Sequence, residues 1–114
     1  MGNKIYTTTK YSYNEDNECF LPGLFCHTAV TEEQLLFFVW KYISDESVKE
    51  KWMAKDKDDL NCFYVTYTDG FEKNLYHGYR VTVTDLTSGK TDVVDKNSYP
   101  ELWDKINNIV NETI

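Results

Sequence analysis

Arginine occurs once, at Arg80, and the basic side chains total only 12 against 19 acidic ones, a formal charge of −7. That excess repels phosphates and anionic headgroups at long range, which disfavours direct nucleic-acid binding through a broad basic face and makes a basic protein the charge-matched partner. With 5 glycines and 2 prolines the chain is no collagen-like polymer. Its cysteines are three and odd in number (Cys19, Cys26, Cys62), so a full disulfide framework is ruled out and reduced thiols are expected. No apolar run approaches the roughly 20 residues that span a bilayer. The start, Met1-Gly2-Asn3-Lys4, leads into alternating Thr and Tyr instead of a hydrophobic signal stretch, and the expectation is a cytoplasmic chain with no membrane partner.

What is present is apolar and aromatic: 41% hydrophobic residues and 16% Phe, Trp and Tyr in 114 positions. A chain of this length encloses one modest core, so residues 1–114 are read as a single α+β domain. Residues 4–13 alternate Ile5, Thr7, Thr9, Tyr11 against Tyr6, Thr8, Lys10, Ser12, a strand pattern. Cys19, Phe20, Leu21, Leu24 and Phe25 surround the turn dipeptide Pro22-Gly23 and read as a loop. Thr31 with Gln34 three residues on has capping-box spacing, and a helix over 32–43 follows. Ser44-Asp45-Glu46 reads as the cap of a second short helix near 46–55, with Val48 and Trp52 one turn apart.

Residues 61–68 alternate as a strand, and Asp69-Gly70 supplies a hairpin dipeptide with the return strand starting at Phe71. A second extended stretch covers Leu75–Asp85, with Gly78 marking a bulge or a close backbone approach. The turn Asp85–Lys90 places Gly89 at a left-handed position, and Thr91–Asp95 returns as a brief strand. Ser98 with Glu101 forms another capping box, opening a helix over 99–112. The expected order is therefore β-α-α-β-β-β-α: an antiparallel meander packed against helices.

Chemical motifs fail on their spacing. Cys19, Cys26, His27, Cys62 and His77 lack the short intervals of a zinc site, and neither a metal nor a cofactor is expected. Asp56-Lys57-Asp58-Asp59 opens like a calcium loop, but Asn61 stands where Gly is required and Tyr67 where Glu is. Ser88-Gly89-Lys90-Thr91 resembles the end of a phosphate loop, yet Thr84 occupies the position of its first Gly. A Cys26 or Cys62 thiol paired with His77 is the one nucleophile arrangement available on paper. No catalytic residue is assigned, and binding instead of catalysis is the expectation.

The helix 32–43 carries the main functional signal. Leu35, Leu36, Phe37, Phe38, Val39, Trp40, Tyr42 and Ile43 occupy almost its whole circumference, with Lys41 the clear polar slot. A helix on one face of a small sheet needs one apolar stripe, so this one is either wrapped by other elements or forms part of an interface. The leading reading is a small acidic protein that binds another protein as an inhibitor or immunity-like antagonist. Its expected contact residues are Phe20, Leu24, Phe25, Glu33, Phe37, Trp40 and Lys41, because aromatic side chains concentrate binding energy. The alternative is a small anionic-ligand binding or sequestering protein using Arg80, His77, Tyr76 and Tyr79, where a guanidinium and tyrosine hydroxyls suit an anion. A third is a homo-oligomer whose aromatic helix is the subunit seam.

Overall fold

The computed structural model describes residues 3–14, 19–20, 24–46, 48–54, 62–67 and 75–112. In chain order these form β1 (Lys4–Asn14), β2 (Cys19–Phe20), β3 (Leu24–Ala29), α1 (Glu32–Ile43), β4 (Val48–Met53), β5 (Phe63–Tyr67), β6 (Leu75–Asp85), β7 (Thr91–Val93) and α2 (Pro100–Glu112). The class is α+β: the described residues form one antiparallel seven-stranded sheet with two helices.

The two long strands are the spine. β1 and β6 pair without a break from Lys4↔Asp85 to Asn14↔Leu75, as their unbroken β-branched and aromatic alternation favours. The outer edge of β1 is filled in two pieces, β3 along Tyr6–Lys10 and β2 along Tyr13–Asn14. The outer edge of β6 is shared likewise, β5 taking His77–Tyr79 and β7 taking Thr82–Thr84, with β4 lying beyond β5. Tyr79, Val81 and Val83 of β6 and Phe63 and Val65 of β5 are buried in one cluster with Leu35, Val39 and Ile43 of α1 and Leu102, Trp103, Ile106 and Val110 of α2. Thr8 is buried beside them at 1% exposure.

Two segments differ from the sequence expectation, and the order becomes β-β-β-α-β-β-β-β-α. The stretch expected as a helix near 46–55 is strand β4, its Trp52 stacked on Tyr64 across the ladder at 5.4 Å. The stretch expected as a loop over 19–27 supplies β2 and β3, because β1 would otherwise leave a row of amides and carbonyls unpaired. Gly78 carries no bulge: it sits in continuous register between Tyr64 and Tyr11. The irregularities fall instead at Thr8/Thr9 and Val48/Glu50. Pro22-Gly23, Asp56–Asp59, Asp69-Gly70 and Phe71 lie outside the described residues.

Local chemistry sets the helix starts. Thr31 caps α1, its Oγ1 accepting the Gln34 amide at 3.1 Å, while Gln34 Oε1 reaches back to the Val30 amide at 3.0 Å. Ahead of α2 the reciprocal bonds close the turn at 96–98 and do not form the expected Ser98/Glu101 box: Asp95 Oδ1 accepts the Asn97 and Ser98 amides, both at 2.7 Å, and Ser98 Oγ accepts the Asp95 amide at 3.1 Å. These bonds hold the Asp95 carboxyl below its usual range, the Ser98 amide contributing most. Pro100 then occupies the first helical position, where its missing amide costs no bond. The β6–β7 turn closes with Gly89 at φ +77°, in the left-handed region its sequence position predicts. Among the described residues no helix is long and apolar enough to cross a membrane.

Candidate functional site

The nearly all-apolar α1 divides cleanly. Leu35, Val39 and Ile43, one turn apart, face the core and are at most 3% exposed. Leu36, Phe38 and Tyr42 form its flanks and pack against that core. Phe38 stacks on His27 at 4.1 Å, and Tyr42 stacks on Tyr79 at 4.8 Å and shares a hydrogen bond with His27 Nδ1. These contacts commit the flanking rings to the fold. The remaining face is open: Phe37 is 55% exposed and Trp40 48%. Their ring centroids stand 6.2 Å apart, and Val30, 60% exposed, precedes them at the helix entrance.

Glu33 and Lys41 share this outward face and are exposed. Neither has an ion-pair partner among the described residues. Four of the seven expected contact residues, Glu33, Phe37, Trp40 and Lys41, are thus brought together on one surface. Phe20, Leu24 and Phe25 are placed by backbone register alone, opposite Tyr13, Lys10 and Thr9. Their side chains lie outside the described residues.

The expected anion-binding set is not brought together. His77 and Tyr79 pair with Ser12 and Lys10, whereas Arg80 is one step out of phase, opposite Thr9. Strand alternation turns Arg80 to the other side of the sheet. There its guanidinium lies over the Tyr11 ring at 4.9 Å and donates to the Tyr11 hydroxyl, not to a carboxylate. His77 Nδ1 and Ser12 Oγ share a hydrogen bond of 2.8 Å, and burial holds the imidazole pKa below its usual value, with Lys10 adding to the effect. Tyr79, 2% exposed, is sandwiched between Tyr42 and Phe63, the latter at 5.0 Å. Tyr76 is defined only by its pairing with Tyr13.

Burial raises the Cys62 thiol pKa and Asp95 adds to the effect, which disfavours a thiolate there. The Cys19 and Cys26 side chains lie outside the described residues. Among the described residues no three His, Cys, Asp or Glu side chains converge as metal ligands would.

One concavity had no signal in the sequence. It has a volume of about 390 Å³ and lies at the start of α2, between Lys4 and Tyr6 of β1, Glu32 of α1, and Tyr99 and Glu101. Lys4 Nζ sits 5.5 Å from the Tyr99 ring centroid, and Lys105 ties Glu32 down at 2.5 Å, raising the lysine pKa. Its charges are of both signs and its walls come from three elements distant in sequence, which no local motif announces. No protein-family model, curated protein or solved structure matches this chain.

Proposed function

We propose that this chain functions as a protein-binding domain whose contact surface is the outward face of α1, centred on Phe37 and Trp40. The observation that carries the reading is the pair of half-exposed rings on a helix whose opposite side is locked into the core. A rigid platform loses little conformational entropy on docking, so more of its interaction energy appears as affinity. Aromatic side chains present roughly 150–250 Å² each. Covering the exposed half of both rings removes about 200 Å² of surface from water, about 5 kcal/mol at ~25 cal/mol per Å², before the costs of association. That magnitude suits a central hot spot. Apart from Val30, the other large exposed apolar side chains among the described residues, Leu86 and Val93, lie on the β6–β7 hairpin and do not extend this ring pair.

A photo-crosslinking side chain placed at Phe37 tests the proposal, with the same group at exposed Asn108 of α2 as control. The expected result is a discrete protein adduct from position 37 in the producing cell and none from position 108. Equal labelling from both positions, or none from either, overturns it.

A further inference from the structure

We infer that the occupant of the outward face of α1 is a second copy of this chain, docked antiparallel about a two-fold axis at Phe37. The inference rests on the reading of that face as a protein contact and names its partner. At about 100° per residue, Glu33, Gln34, Trp40 and Lys41 of α1 all project within about 60° of Phe37. They are spaced symmetrically about it. A two-fold at Phe37 therefore sets Glu33 opposite Lys41 of the second copy and Lys41 opposite its Glu33, while each Trp40 lies across the other Gln34. With a rise of about 1.5 Å per residue, each charged group stands about 6 Å along the axis from Phe37, within reach of its counterpart in a helix pair 8–10 Å apart.

The charges decide between occupants. Overall the chain carries −7, but this face holds one carboxylate and one ammonium at mirror positions, neither engaged in an ion pair among the described residues. A basic partner would meet Lys41 as a like charge, whereas a second copy satisfies both ends at once. An isologous contact requires self-complementarity of this kind. Repulsion between the two net charges is cut off beyond about 8 Å at physiological salt. A 12-residue helix spans about 18 Å, so its face alone covers less than the ~800 Å² per partner of a standard interface. The self-association is accordingly weak and concentration-dependent.

Sedimentation velocity in about 150 mM salt, from about 5 to 500 µM, reads it directly. The wild-type chain shifts from monomer to dimer across that range. Glu33→Lys and Lys41→Glu each replace two attractive contacts with two repulsive ones, and each weakens the dimer roughly ten-fold or more. Mixing these two variants restores association, because every lysine then faces a glutamate. Phe37→Ala weakens it by at least about ten-fold. Circular dichroism checks that each exposed-site variant is folded. A wild-type chain that stays monomeric to 500 µM while position 37 still crosslinks to another protein overturns the second copy as occupant and leaves the protein-contact reading standing. A dimer indifferent to Phe37→Ala and to both charge reversals overturns the inference and, with no position-37 adduct, the reading beneath it.

Discussion

Leu35→Ala and Phe37→Ala alter one helix at positions two residues apart, and the fold predicts opposite consequences. Leu35 is 0% exposed and belongs to the central cluster. Truncation removes about three methylene equivalents of burial, ~0.8 kcal/mol each, and leaves a cavity whose lining loses contacts on one side, for a total of about 3–4 kcal/mol. A domain of this size has about 5–15 kcal/mol in all. With a urea dependence of about 2 kcal/mol per M, the unfolding midpoint drops by roughly 1.5–2 M. Phe37 is 55% exposed. Its truncation loses less than half of a phenyl's burial, about 1 kcal/mol, and alanine returns about 0.5 kcal/mol of helix propensity, so the midpoint moves by no more than ~0.5 M. Urea titrations followed by far-ultraviolet circular dichroism at low micromolar protein keep any self-association out of the comparison. Equal losses from the two variants would place ring 37 in the core and refute the outward-face geometry.

Asp95→Ala removes the acceptor of the Asn97 and Ser98 amides and, by analogy with other caps, costs about 0.5–2 kcal/mol at pH 7. Because the folded-state pKa of Asp95 lies below its unfolded value near 3.8, this stabilisation is present above that pH and is lost as pH falls through the folded value. The wild-type and variant urea midpoints should therefore converge as the pH falls below about 4, and a gap that does not narrow on acidification counts against the charged acceptor. Gly89→Ala introduces a Cβ with nothing within 4 Å but at φ +77°, so its cost is backbone strain alone, about 1 kcal/mol. A thermal midpoint lowered by roughly 4 °C, with Gly89→Asn milder, is the expected pattern; an unchanged midpoint for the alanine variant contradicts it.

The amino-acid order alone specified the elements whose signals are local. The unbroken alternation of 4–13 and 75–85 is a strand signal wherever it occurs, and these became the paired spine β1 and β6. Thr31 with Gln34 starts a helix by supplying acceptors to its own first turn, and Gly89 permits a left-handed turn without help from neighbours. The separation of Arg80 from His77 and Tyr79 was also legible, since odd and even positions of one strand point to opposite sides. Tertiary structure decided the rest, because competing readings there were equal until partners arrived. Val48 and Trp52 share a face in a helix and in a regular strand alike, and only the ladder to β5, with its irregularity at Val48/Glu50, made that segment β4. Phe20, Leu24 and Phe25 entered strands because β1 offered an open edge. In α1, rings on every side left the inward direction open; packing against β6 and α2 chose Leu35, Val39 and Ile43, and that choice put Phe37 and Trp40 outside. Hydrophobicity determines how much surface a helix must bury, whereas the shape of what it meets determines which side is left over.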